Sequence, residues 1–315
     1  MSFLLLIIGF FFLIKGADLF VEGSSSIAKK FNVPSMVIGL TIVAMGTSAP
    51  EAAVSITSSL AGQNDMSVAN VVGSNFFNIL VVLGVSSIIA TLPVQKGTIK
   101  KDAPFLLLVS VLLLLFGLNL NIGRIEGLIL LAVFTYFLID TIKSAKKGNP
   151  ETANEAATTM DVEVTEQSSM SKTILLSIIG VVGIVLGGDM VVNSATDIAT
   201  SFGMSANLVG LTIVAIGTSL PEFVTSVVAI KKGETEIAIG NIIGSNIFNI
   251  LFVLGLATII SPITISTFAL IDVIFMVAIT VLLYFFMKKD NSLVKSQGII
   301  FLILYLAYMA YTIMR

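Results

Sequence analysis

The chain has 315 residues, 56% hydrophobic and 11% charged, with a formal net charge of −2 and a mean hydropathy of +1.04. Soluble domains carry about 25% charged residues, so this is the composition of an integral membrane protein, and it holds no basic arm that would mark a nucleic-acid partner. The lack of Cys and His excludes disulfides, thiolate chemistry, zinc-type centres and imidazole acid–base work, leaving oxygen as the metal ligand, which suits Na+, Ca2+ and Mg2+.

A hydrocarbon core needs roughly 20 apolar residues per helix. Ten segments qualify: 3–28, 36–60, 68–92, 103–121, 124–142, 173–199, 206–230, 237–261, 266–287 and 297–314. The first, within MSFLLLIIGFFFLIKGADLF, lacks the basic n-region and small-residue cleavage site of a signal peptide and reads as a retained span. It holds Lys15 and Asp18, three residues apart and so placed to pair on one helix face.

The second span contains GTSAPE, Gly46 to Glu51. Pro50 has no N–H, so the carbonyl of Gly46 loses its helical partner. Loosened carbonyls in a membrane need a cavity or another partner. Glu51 shares a face with Thr47 and Ser48, beside the Ala44 carbonyl. In the third span Asn70, Ser74 and Asn78 make a polar stripe at spacing four. Gly73 is expected to admit a close helix, and Asn75 lies off the stripe, available for helix packing. Asp140, near the end of the fifth span, reads as a solvated end.

The segment from Gly148 to Ser171 is polar and acidic and reads as a disordered linker. Glu151, Glu155, Asp161, Glu163 and Glu166 lack EF-hand spacing and its glycine. The second half then repeats the first, 171 positions on: Glu51 maps to Glu222, Ser74 to Ser245, Asn78 to Asn249 and Asp18 to Asp189. Eleven of thirteen residues are identical between Gly39–Glu51 and Gly210–Glu222, and eight of eleven between Asn70–Leu80 and Asn241–Leu251. Glu222 thus gathers Thr218, Ser219 and the Ala215 carbonyl, opposite Asn241, Ser245 and Asn249, with Gly244 and Asn246 in the places of Gly73 and Asn75. Asp18 and Asp189 read as structural ties, and Asp272 as a solvated span end.

The odd-numbered loops hold Lys29, Lys30, Lys96, Lys100, Lys101, Lys143, Lys146, Lys147, Lys172, Lys231, Lys232, Lys288, Lys289 and Lys295, whereas the even-numbered loops hold only Arg124. The positive-inside rule puts the odd loops and linker in the cytoplasm and both termini outside. Five spans is an odd number, so the second unit sits upside down relative to the first. Inverted repeats around a midplane site are a signature of secondary transporters. The expected fold is all-α, an integral membrane protein of ten transmembrane helices in two inverted five-helix repeats, 1–147 and 172–315, joined by 148–171, with a midplane cation site.

A membrane-centre carboxylate costs about 2.5–3.5 kcal/mol on insertion scales. No Lys or Arg in the second, third, seventh or eighth span is placed to neutralise Glu51 or Glu222. Either the acids are protonated or mobile cations pair with them. Two carboxylates match one Ca2+ and tolerate Na+ singly, whereas Mg2+ sheds its water reluctantly. Ser, Thr, Asn and Gly also glue membrane helices together without any ligand. A passive channel would conduct without a counter-ion, and the paired inverted halves argue against it; no recognisable nucleophile or metal constellation suggests an enzyme.

The two motif pairs, GTSAPE with GSNFFN and GTSLPE with GSNIFN, resemble the α-repeats of the sodium/calcium exchanger family, within the cation/calcium exchanger superfamily. The resemblance covers nearly the whole chain. It implies a Na+/Ca2+ antiporter of the plasma membrane, of prokaryotic type without a large regulatory domain. The implied site is Glu51, Thr47, Ser48, Ser74, Asn78 and the Ala44 carbonyl, with Glu222, Thr218, Ser219, Ser245, Asn249 and the Ala215 carbonyl. Ca2+ and Na+ would be cargo, with no cofactor, nucleic acid or protein partner implied. The first and sixth spans would slide across the rest to alternate access. Potassium-dependent relatives carry Asp where this chain has Asn249, which points to K+-independent, electrogenic exchange. The alternative is a Ca2+/H+ antiporter using the same glutamates.

Overall fold

A computed structural model describes residues 2–146, 170–203 and 215–314. The linker 148–171 lies almost wholly outside these residues, as does the first part of the seventh predicted span.

The first half contributes α1 (Ser2–Phe31), α2 (Ser35–Thr47), α3 (Ala49–Leu60), α4 (Met66–Ile89), α5 (Ala103–Gly117) and α6 (Arg124–Lys146). The second contributes α7 (Met170–Ser201), α8 (Ala215–Gly217), α9 (Leu220–Lys231), α10 (Thr235–Ile260), α11 (Thr267–Asp290) and α12 (Lys295–Met314). In hydrocarbon the backbone must satisfy its own hydrogen bonds, which leaves helices for these apolar segments. Among the described residues six helices are individually long and apolar enough to cross a bilayer, and the bent pair α2–α3 makes a seventh. The remaining predicted spans correspond to α5, α8 with α9, and α12.

The halves interlock. α1 lies along α7, and α5 packs on α11. The fifth helix of each half packs on the third of the other: α12 against the 83–89 end of α4, α6 against the 254–260 end of α10. Close glycine pairs allow this approach. A Cβ on Gly127 would come 2.8 Å from the Gly255 carbonyl, and one on Gly84 would come 3.3 Å from the Gly298 carbonyl. These two pairs are related by the same 171-residue shift. Gly244 packs on Leu40 and Ala44, where a Cβ would meet the Leu40 Cα at 2.7 Å. Gly73 differs: nothing among the described residues lies within 4 Å of its would-be Cβ. The repeat counterparts of Leu40 and Ala44 are Leu211 and Ala215, and the described chain resumes only at 215.

Two short antiparallel ribbons record the inversion. β1 (Leu92–Pro93) pairs with β4 (Ser292–Leu293), and β2 (Asn121–Ile122) pairs with β3 (Ile263–Thr264). Leu92 faces Leu293 in one ribbon and Ile263 faces Ile122 in the other. The 171-residue shift turns each pairing into the other. Yet the first ribbon joins odd-numbered loops and the second joins even-numbered ones, at opposite ends of the bundle.

Burial ranks the helices. In α10, 83% of the apolar window is inside the protein, against 33% in α1 and in α7. The core is therefore α4 and α10, lined by Val71, Ile79, Leu80, Ile242, Ile243 and Leu251. α1 and α7 present Phe3, Ile7, Phe11, Ile174, Ile178 and Leu186 outward, as a lipid-facing surface would.

The charged residues correct two local expectations. Asp272, read from the sequence as a solvated span end, is buried in α11. Asp18 pairs with Lys232, Nζ to Oδ1 at 2.7 Å, and not with Lys15. Lys232 follows α9, also lies 3.6 Å from Glu22, and donates to the Asp18 carbonyl at 3.0 Å. A residue brought in by the tertiary fold replaces the neighbour three positions away. Asp189, the repeat counterpart of Asp18, is exposed, and the counterpart of Lys232 is the uncharged Ala61. Asp140 is paired too, with Lys101 at 2.7 Å.

The α1–α7 seam is a close helix contact that one added side chain can test. A Cβ on Gly16 would sit 2.6 Å from the Ile184 nitrogen, and one on Gly180 would sit 2.6 Å from the Phe20 nitrogen. Overpacking of this kind costs about 1–3 kcal/mol. Gly180→Val is expected to lower the melting temperature in detergent, while Gly97→Ala, at an exposed helical position with no neighbour within 4 Å among the described residues, is expected to leave it within error.

Candidate ion site

The site begins at two breaks in the backbone. α2 ends at Thr47 and α3 starts at Ala49, bent by 49°. Between them Ser48 has φ −83° and ψ 9°, and its counterpart Ser219 has φ −92° and ψ 5°. Both lie in the sparsely occupied bridge region between helix and strand. Pro50 and Pro221 follow within the first turn of α3 and α9, where a missing N–H costs nothing. Each proline thus starts a new helix in mid-span. Glu51 and Glu222 fall in the first turns of those helices, where the positive end of the helix dipole favours a carboxylate by about 0.3–1 kcal/mol, or ~2 kcal/mol when partly buried.

The two glutamates are held by each other's half. Ser48 Oγ donates to Glu222 Oε1 at 2.6 Å, and Ser219 Oγ donates to Glu51 Oε1 at 3.0 Å. The third helix of the same half adds a second hydroxyl: Ser74 Oγ to Glu51 Oε1 at 3.3 Å, and Ser245 Oγ to Glu222 Oε1 at 3.4 Å. Ser219 also reaches Ser74 at 3.0 Å. Both carboxylates are fully buried, and no ion pair of either is found among the described residues.

Each Glu also leaves one oxygen without a donor. Glu51 Oε2 and Glu222 Oε2 are buried with no hydrogen-bond partner among the described residues, and so are Asn78 Oδ1, Asn249 Oδ1 and Thr218 Oγ1. A buried polar atom left unpaired costs about 1–3 kcal/mol, more if charged. The orphaned acceptors come in repeat-related pairs, two carboxylate oxygens and two amide oxygens. Such a set of hard oxygens matches what Ca2+ and Na+ bind.

The other predicted residues are differently engaged. The Ala44 carbonyl accepts from Ser48 N–H at 3.0 Å, Thr47 Oγ1 at 3.3 Å and Ser245 Oγ at 3.5 Å, so it is well supplied with donors. Thr47 Oγ1 also lies 3.0 Å from Asn241 Oδ1, whereas Thr218 has no matching bond. Ala215 opens α8, directly after the residues that are not described. Thr47, Thr218, Ser48, Ser219, Ser74, Ser245, Asn78 and Asn249 are all buried, which places these side chains beyond the reach of solvent in this structure.

Three features escape period-based reading. Asn70 is not part of the ion-facing wall: its Nδ2 holds the Glu51 backbone carbonyl at 3.2 Å and Ser55 Oγ at 2.9 Å. Asn241 repeats this on Glu222 O at 3.5 Å and Ser226 Oγ at 3.0 Å. Asn75 and Asn246, set aside for packing, bond instead to the opposite amides: Asn249 Nδ2 to Asn75 Oδ1 at 3.4 Å, and Asn78 Nδ2 to Asn246 Oδ1 at 3.1 Å. π-helical turns at Phe77–Val82 and Asn249–Val253 set the backbone there. Such turns favour functional sites, and no residue pattern announces them.

Comparison with known proteins places the chain among cation exchangers. The family model for "Sodium/calcium exchanger protein" matches residues 1–143 and 172–314. The chain is 43% identical over 256 residues to the putative antiporter CaxA of Alkalimonas amylolytica, covering 81% of this chain and 80% of the relative. It is 31% identical over 340 aligned positions to the sodium/calcium exchanger MaX1 of Methanosarcina acetivorans, covering 98% and 97% of the two chains. Among solved structures, the sodium-calcium exchanger NCX_Mj, soaked with zero Na+ and Ca2+, matches with a TM-score of 0.86 and 32% identity, covering 99% of this chain and 98% of that one.

The bonds of Asn70 and Asn241 make unequal demands. Asn241 holds Glu222 O and Ser226 and accepts from Thr47, whereas no such third partner of Asn70 is found among the described residues. Replacing either by Ala strands buried groups at about 1–3 kcal/mol each. Asn241→Ala is therefore expected to lower the unfolding midpoint more than Asn70→Ala, as read by thermal melting in detergent.

Proposed function

The chain is a member of the sodium/calcium exchanger family, and we propose that it exchanges Na+ for Ca2+ across the membrane by alternating access. The observation that carries this reading is the pair of buried glutamates, Glu51 and Glu222, each tied to the other half by a serine and each with one oxygen unpaired among the described residues. They serve as the shared ligands of the cations. Ser48, Ser219, Ser74 and Ser245 hold them. Asn78 and Asn249 add neutral oxygens, and Thr47, Thr218 and the Ala44 and Ala215 carbonyls complete flanking sites. Ca2+ and Na+ are cargo.

Charge arithmetic sets the mechanism. Two carboxylates balance one Ca2+. More than two Na+ per cycle would leave the loaded site positive, and exchange would then be electrogenic. An empty site with two bare charges is too costly to enclose away from water. Only loaded states cross, and that couples the two fluxes. Both repeats end in Asn at 78 and 249, so the centre carries two formal negative charges and needs no K+. Proton exchange through the same acids is the weaker reading, since MaX1 and NCX_Mj are both named for sodium and calcium.

The lysine-rich odd loops and the linker 148–171 belong in the cytoplasm, with repeats 1–147 and 172–315 on either side of it in sequence. Both termini then lie outside a plasma membrane. In that setting the Na+ gradient drives Ca2+ out.

Radiolabelled Ca2+ uptake into Na+-loaded proteoliposomes tests the proposal. Uptake should stop when the Na+ gradient is collapsed, and Glu51→Gln or Glu222→Gln should reduce it to background. Asn249→Asp is expected to alter ion preference. Uptake that ignores Na+ and follows a pH gradient would replace this reading with proton exchange.

A further inference from the structure

An asparagine can serve a cation with its amide oxygen only if its NH2 group faces elsewhere. The two ends have nearly the same shape, so hydrogen bonds alone decide which way the amide points. Around Asn249 those bonds form a directed chain. Its Nδ2 donates to Ser74 Oγ at 3.1 Å and to Asn75 Oδ1 at 3.4 Å. Asn75 in turn directs its own Nδ2 at two groups that can only accept, the Asn246 backbone carbonyl and Met276 Sδ, each at 3.5 Å. The polarity therefore starts on a main-chain carbonyl, which cannot be turned over, passes through Asn75, and ends with Asn249 Oδ1 as the free end. All four asparagines of the cluster are buried, so water does not compete for their bonds.

We propose that Asn75 is a positioning residue for the ion site: it keeps the oxygen of Asn249, and not its NH2 group, available to a cation. Were the Asn249 amide reversed, its oxygen would face the Asn75 oxygen and its NH2 would meet the cargo. The inference rests on the reading of Asn249 as an ion ligand. Asn246 is the repeat counterpart of Asn75 and accepts from Asn78, but its own Nδ2 has no partner among the described residues. The anchored branch is the one through Asn75.

A carboxylate has two equivalent oxygens and no orientation to maintain, which supplies the test. Ca2+ binding is measured by calorimetry on the purified full chain, with Asn75→Ala and the near-isosteric Asn75→Leu, each in the native and the Asn249→Asp backgrounds. With Asn249 present, either change should weaken Ca2+ binding by up to about tenfold, the scale of one neutral hydrogen bond. With Asp at 249, the same changes should leave affinity within about twofold or tighten it, because no amide remains to be oriented. Equal losses in both backgrounds would make Asn75 a packing residue and overturn the proposal, as would no loss in the native background. A native chain that binds no Ca2+ would overturn instead the ion-site reading beneath it.

Discussion

Two carboxylates sit inside the membrane-spanning part of this protein with no basic side chain paired to them among the described residues. A charge there costs several kcal/mol unless something of opposite sign accompanies it. The protein supplies partial charge only: serine hydroxyls on one oxygen of each acid and a helix N-terminus behind each. The remaining oxygens have no partner among the described residues, and a proton or a mobile cation is what can supply the missing positive charge. Broken spans, glycine seams and interlocked halves bring those two acids into one serine network, and one oxygen of each stays unpaired among the described residues, as do the oxygens of Asn78 and Asn249.

The inverted repeat explains why the acids come as a pair. A single broken span would present one carboxylate at one helix N-terminus. Duplicating and inverting it places a second beside the first, so that Ser48 reaches Glu222 and Ser219 reaches Glu51. The copies are close but not equal. Thr47 is bonded to Asn241 while Thr218 lacks the matching contact, and Lys232 grips Asp18 where the other half has Ala61. In a fully symmetric carrier the two access states would be related by the two-fold rotation of the inverted repeat, and contacts present in only one half break that equivalence.

Much of this is legible in the sequence. In hydrocarbon a long apolar segment has few options besides a helix, so span positions follow from composition, and lysines mark alternate loops. The shared 171-residue offset ties Glu51 to Glu222 and their serines and asparagines to one another, so the residues that meet were also legible. What escaped depends on approach between distant segments. The swap of fifth helices, the two-residue ribbons and the Lys232–Asp18 pair all join residues far apart in sequence. A strict period of 3.6 set Asn75 and Asn246 off the polar stripe. The π-helical turns that begin beside Asn78 and at Asn249 break that period, and the two excluded asparagines turn out to bond the included ones.

In the proposed exchange the same oxygens serve Ca2+ and Na+ in turn. The most direct test is the apparent Ca2+ affinity of the purified chain at rising Na+, with choline holding ionic strength constant. Shared oxygens predict that Na+ expels Ca2+, with the apparent Kd rising more steeply than the first power of Na+ concentration, since several monovalent ions replace one divalent ion. A Ca2+ affinity that does not change with Na+ would mean separate sites and would contradict the account.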